Sequence, residues 1–394
     1  MWLLSREIPM KKKPDIWLHS SALQIALISV SALLLTLSGA PAQNQVEASW
    51  TPTGSMATDR YFHTATLLPS GKVLVAGGFS LDVGTLRSAE LYDPSTGTWA
   101  ATGDMTTVRA DATATLLPSG KVLVVGGGDS LGNGLSSAEL YDPATGIWTR
   151  TGSLATARDA HTATLLPSGK VLVAGGSDNG ELSSAELYDP LMGRWTVTGN
   201  LSVARYGHTA TLLGSGKVLV AGGLTFNFEH SLNSPELYDP ASGTWTATGS
   251  MDAARGYIYN TATLLPSGAV LMEAGRGNRG YLGTAEVYDP LTEAWTKTGN
   301  VGHKRDDHTA TLLRSGKVLM AGGFKAGRGA LRSAELYDPA TGSWTRTATL
   351  TDGRFWHTAT LLLSGQVLVV GGIDRADSLS SAELYDEGVG FDSY

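Results

Sequence analysis

A segment reading HTATLLPSGKVLVAGG, followed about a dozen residues later by SAELYDP and then a Trp, recurs in close variants seven times in this chain. The units start at Thr64, Thr113, Thr162, Thr209, Thr261, Thr309 and Thr358, with steps of 49, 49, 47, 52, 48 and 49 residues. A fixed period of this length decides the architecture. One unit cannot bury both of its faces, so the units must stack on one another. A length of 394 residues would otherwise suggest two or three domains. The repeat makes one large domain the better reading.

Within the unit from Met56 to Gly103, two apolar runs, His63–Leu68 and Lys72–Ala76, flank Pro69-Ser70-Gly71 and read as a β-hairpin. The second run ends in Gly77-Gly78, where positive φ or close backbone approach is expected. Ala89–Tyr92 reads as a third strand, Asp93-Pro94 through Gly97 as a tight turn, and Thr98–Ala101 as a fourth strand. No useful 3.6-residue periodicity follows residue 42. Four short antiparallel strands per unit, seven times over, imply an all-β, radially repeated fold.

The double glycine, Tyr-Asp-Pro, the Gly-containing turn with its Trp, and Arg-x-x-His together resemble the kelch repeat. The resemblance spans residues 46–386. It implies a seven-bladed kelch β-propeller of the kind found in the galactose-oxidase central domain. The blades would run roughly over 56–103, 104–152, 153–199, 200–249, 250–299, 300–347 and 348–386 plus 46–54. In the first unit the framework residues are Arg60, His63, Gly77, Gly78, Glu90, Tyr92 and Trp99. The last unit has no Trp after Tyr385, while Trp50 stands alone ahead of the first unit. Residues 46–54 are therefore expected to supply the missing outer strand, which closes the ring and protects sheet edges.

The N-terminus reads as a targeting segment. Lys11, Lys12 and Lys13 form a basic region after Met10, a candidate true start, and Ala22–Leu37 is mostly apolar. Ala40-Pro41-Ala42 offers small residues for cleavage after Ala42. Residues 1–42 are thus expected to be a signal peptide, with 43–394 the propeller, secreted to the periplasm or outside the cell, without a membrane span after cleavage. An uncleaved anchor is the alternative. The net charge is −7, and without residues 1–42 there remain 25 basic against 34 acidic residues. A mildly acidic, dispersed balance argues against nucleic acid as a partner. A monomer is expected.

The chain has no cysteine, which removes disulfides, thiolate nucleophiles and Cys-ligated metals. Histidines recur at His63, His161, His208, His308 and His357. A metal needs three or four ligands converging, and a seven-fold ring spaces equivalent positions too widely. No metal or cofactor is therefore expected, and each His is read as hydrogen-bonding within its own blade. The recurring Arg and Glu are read as a structural set repeated in each blade.

Function is expected where the repeat is broken. The residues between Arg and His vary, and aromatics and acids dominate there. Tyr61, Asp111, Tyr206, Tyr257, Tyr259, Asp306, Asp307 and Trp356 are the candidate ligand-binding residues. Rings stack on sugars or cations, and carboxylates bind hydroxyls or charge. Unit five departs most, with Glu273 replacing an apolar residue and Arg276 as its nearest candidate partner. Unit four has the long loop Leu224–Asn233.

The reading is a secreted binding module for a glycan or protein on the variable face. One alternative is a carbohydrate-active enzyme, mutarotase- or epimerase-like, using Glu273 and Arg276. The resemblance also reaches copper oxidases, but their Tyr–Cys cofactor cannot form without cysteine. A third reading is an adhesion or matrix scaffold.

Overall fold

A computed structural model describes residues 47–225, 230–256 and 261–388. The predicted signal segment 1–42, Tyr257 and Tyr259, and residues 226–229 of the long unit-four loop lie outside the described residues. The fold is a seven-bladed β-propeller. Seven sheets each hold four antiparallel strands, and four small two-stranded hairpins decorate the loops. Among the described residues no helix is long and apolar enough to cross a membrane.

Each blade follows one plan. In blade one, Thr64–Leu67 pairs with Val73–Ala76, which pairs with Ala89–Asp93, which pairs with Thr98–Ala101. The Ser-Gly turn and the Asp93 turn set these registers: Ser95 N–H donates to Asp93 Oδ1 at 3.0 Å, and Gly97 takes φ +67°. The second strand is wholly buried in every blade because blades pack on both its faces. The first strands touch in unbroken succession, including blade seven against blade one, and so line a central channel.

The ring closes as the unpaired tryptophan implies. Ser49–Thr53 forms the outer strand of blade seven, with Trp50 opposite Tyr385. Their rings lie 5.0 Å apart, against 5.1 Å for Tyr92 and Trp99 in blade one. Trp50 Nε1–H donates to Ala348 O at 2.9 Å, as Trp99 does to Gly54 O at 2.7 Å.

Two devices lock neighbouring blades. The second glycine of each pair, or Gly275 in blade five, donates its N–H to the carbonyl of the next blade's Arg at 2.8–2.9 Å, seven times around the ring. The first glycine leaves no room for a side chain: a Cβ at Gly175 would stand 2.6 Å from Arg205 O and 2.7 Å from His208 Cε1. The arginines are fully buried, and each reaches its own blade's Glu at 2.7–3.1 Å. That Glu also accepts a backbone N–H from the lead-in loop at 2.6–2.9 Å. The histidines differ from the expectation. Four of the five bond across the blade boundary, not within their own blade: His63 Nε2 to Thr358 Oγ1 at 2.9 Å, and His161, His208 and His357 likewise to Thr113, Thr162 and Thr309 at 2.9–3.0 Å. Successive first strands lie side by side, so the neighbour's threonine is the nearer partner.

Candidate functional site: the mouth of the central channel

Two residues separate each Arg from its His in most blades, and the structure gives them different tasks. The first forms a bridge to the residue after the glycine pair, as Tyr61 does with Phe79, Tyr206 with Leu224 and Asp306 with Phe324. The second turns to the channel. Phe62, Asp111, Ala160, Asp307 and Trp356 all take φ between +47° and +54°, and Gly207 takes +57°. Their amides form part of a belt around the rim: Asp111 N–H donates to Phe62 O, Phe62 N–H to Trp356 O, and Trp356 N–H to Asp307 O. Left-handed backbone costs a non-glycine residue about 1–2 kcal/mol, and blade four avoids this with Gly207. Placing Phe, Trp and Asp there retains strain that the fold does not require.

Phe62, Asp111, Asp307 and Trp356 rim a cavity of about 360 Å³ whose walls are the Thr and Ala of the first strands. Of the predicted residues, Asp111, Asp307 and Trp356 line it, whereas Tyr61, Tyr206 and Asp306 stand one position back. Phe62 lines it in place of its neighbour Tyr61, the residue expected there. Only the alternation of the two spacer residues carries that signal.

The mouth combines aromatic rings with carboxylates. Aromatic rings run in an unbroken arc from blade five to blade one. Tyr281, Phe324, Phe355 and Trp356 follow one another at centroid spacings of 6.2, 5.1 and 4.7 Å. Phe62 lies 4.4 Å from Trp356, and Tyr61 stacks on Trp356 at 5.7 Å. Carboxylates stand both within this arc, at Asp306 and Asp307 of blade six, and beyond it, at Asp111 of blade two and Asp159 of blade three. Burial raises Asp111 to about 7, helped by Asp159, and burial raises Asp159 itself to about 6. Burial likewise lifts Asp306 to about 7 against the pull of Arg276, and it holds Asp307 well above the carboxylate range, with Asp306 and Asp111 adding repulsion. Asp307 Oδ1 and Trp356 Nε1 are buried without a well-formed hydrogen bond, although the indole N–H is near enough to favour the Asp307 carboxylate.

The expected pairing of Glu273 with Arg276 is not what forms. Arg276 is exposed in a hairpin and acts on Asp306 and Asp307. Glu273 ends the second strand of blade five, fully buried, with Oε1 3.6 Å from His308 Nε2. The strand buries its whole length, so a side chain there points into the blade interface and away from the loop that carries Arg276. Neither the Glu273 carboxyl nor the His308 ring finds a hydrogen bond. The cause lies next door. Ala274 occupies the first glycine position at φ +50°, and at the equivalent glycines an added Cβ would stand 2.7–2.8 Å from the next blade's His Cε1. His308 accordingly lacks the threonine bond of the other four histidines. Burial pushes Glu273 up to about 8 and His308 down to about 3, so both are neutral near pH 7.

Glu273→Ala is therefore expected to stabilise the protein by roughly 1–3 kcal/mol at about pH 8. Between the usual 4.5 and the folded value near 8, the native state holds a proton that the unfolded chain has released. Wild-type stability thus falls as pH rises through that window, and the variant lacks this loss. Denaturant unfolding at about pH 5 and about pH 8 checks it: the gap should widen at the higher pH. A gap independent of pH would rule out a proton held on Glu273.

The comparisons agree with this geometry. The model of the KLHDC2/KLHL20/DRC7 Kelch-repeats domain matches residues 42–223 and 160–372. The chain belongs to the kelch-repeat family, and its fold is that family's propeller. No curated protein matches it significantly. Among solved structures it is similar to a fungal alcohol oxidase of the AA5 family in complex with copper, at 20% identity and TM-score 0.71, covering 86% of this chain and 76% of that one. It is also similar to YjhT, at 15% identity and TM-score 0.59, covering 74% of this chain and 99% of that one. At these identities the likeness is one of fold.

A copper site does not fit the residues present. There is no cysteine for a Tyr–Cys crosslink, and among the described residues no three His, Cys, Asp or Glu converge on one point. Four of the five recurring histidines already spend Nε2 on threonine.

Proposed function

We propose that this chain is a secreted binding module that holds the end of a glycan in the mouth of its central channel. Export rests on the basic, apolar and small-residue pattern of residues 1–42. One observation carries the binding reading. Aromatic and acidic side chains occupy strained, left-handed rim positions around a 360 Å³ cavity, where blade four manages with glycine. A cavity of that size suits one or two sugar rings better than a flat protein surface. Rings offer stacking to the apolar face of a sugar, and carboxylates accept its hydroxyls. The carbohydrate-active alternative loses its acid–base pair, because Arg276 serves Asp306 and Asp307.

A glycan array compared between wild type and Trp356→Ala tests the reading. Binding should fall at least about tenfold in the variant, as for loss of a central aromatic anchor. Thermal unfolding of both proteins guards against a folding defect. Wild-type binding that Trp356→Ala leaves intact would move the site elsewhere.

A further inference from the structure

Granted a glycan site at the mouth, its chemistry selects among glycans. We propose that the bound saccharide carries a free ammonium group, held by the carboxylates of Asp111 and Asp307, the aromatic wall of Phe62 and Trp356, and the imidazole of His308.

All five residues line one cavity. A neutral sugar would satisfy hydrogen bonds there but would leave Asp111 and Asp307 holding their protons. Asp307 feels the charges of Asp306 and Asp111, and Asp111 that of Asp159. Burial and mutual repulsion keep protons on these acids. Arg276 moderates Asp306 and Asp307 from an exposed hairpin. An ammonium group in the cavity would let Asp111 and Asp307 ionise, and the adjacent ring faces favour a cation further.

An independent observation lies in His308. It is 2% exposed, it lines the cavity, and neither ring nitrogen has a hydrogen-bond partner. Burial and the nearby Arg305 keep its ring neutral, so one nitrogen is an acceptor suited to an N–H donor, and Nε2 lies 3.6 Å from Glu273 Oε1 without a hydrogen bond between them. In the other four seams Nε2 is taken by threonine and only Nδ1 lacks a partner, so His308 differs in its Nε2. The Glu273-Ala274 pair, which breaks the repeat's Ala-Gly or Val-Gly, is what leaves His308 open. Two departures from the repeat thus converge on one cavity wall.

Calorimetric titration of the full chain with tetramers of glucosamine, N-acetylglucosamine and glucose tests this. The glucosamine tetramer should bind at least roughly tenfold more tightly than the other two, as a desolvated charge pair warrants. In Asp307→Asn, and in Asp111→Asn should the first fail to fold, that preference should largely vanish. Titration near pH 6.5 in buffers of different ionisation enthalpy should show proton release as the carboxylates ionise. Equal affinity for the three tetramers would overturn the ammonium reading while leaving the glycan site intact. Binding of none of them, with glycans bound elsewhere on an array, would also overturn it. No binding to any glycan would overturn both.

Discussion

Deletion of residues 47–54 should lower the melting temperature on the order of 10 °C or more. Those residues are the outer strand of blade seven, paired along its length from Ser49 against Asp386 to Thr53 against Ala382. Their loss exposes the edge of the third strand of that blade and removes the Trp50–Tyr385 contact. It also cuts ties to blade one, where Thr53 Oγ1 meets Tyr92 OH at 2.8 Å and Gly54 N–H donates to Gly97 O at 3.0 Å. A Cβ at Gly54 would stand 2.4 Å from Gly97 O, so this crossing tolerates only glycine. In a stacked array each unit is stabilised by its neighbours, and the deletion leaves the seam between blades seven and one resting on its inner contacts alone, such as Gly372 N–H to Arg60 O at 2.9 Å and His63 Nε2 with Thr358 Oγ1 at 2.9 Å. Differential scanning calorimetry reads the effect. An unchanged melting curve would mean that the ring does not depend on this strand.

The second large effect concerns the arginines. Arg109→Met should cost about 3–5 kcal/mol, because breaking a buried pair leaves an uncompensated charge. Arg109 donates to Gly126 O at 2.7 Å, to Ser137 O at 3.2 Å and to Glu139 Oε1 at 2.9 Å. Glu139 in turn accepts Thr106 N–H at 2.7 Å and Thr107 N–H at 3.1 Å. The variant would leave a fully buried carboxylate facing an apolar thioether. Replacing Glu139 by Leu as well should recover part of the loss and no more, since the lead-in amides stay unpartnered. Denaturant unfolding of the two variants measures this. A single variant within about 0.5 kcal/mol of wild type would show that the pair carries no weight.

The blade plan was legible in the sequence because it is written seven times. Turn chemistry at Ser70-Gly71 and Asp93, and the misplaced Trp50, carry the strand order and the closure. The site was only partly legible. Asp111, Asp307 and Trp356 stood out as irregular residues between Arg and His, yet which spacer residue faces the channel depends on backbone handedness, and sequence spacing does not show that. Phe62 was passed over for Tyr61 for this reason. The partner of Glu273 was misread because Arg276 is near in sequence, while His308 lies in the next blade and becomes available through the Ala274 methyl. The histidine bonds were placed within blades because adjacent first strands belong to different repeats.

The central claim is that the channel mouth is a binding site built on a fold that does not need it. A variant with Phe62, Asp111, Asp307 and Trp356 all replaced by glycine tests this directly, because Gly207 shows that the rim backbone accepts glycine at φ +57°. Glycan binding by this variant is the measurement, with its melting temperature recorded alongside. The account predicts a folded propeller, melting within a few degrees of wild type, that no longer binds. A folded variant that binds as wild type does would contradict it.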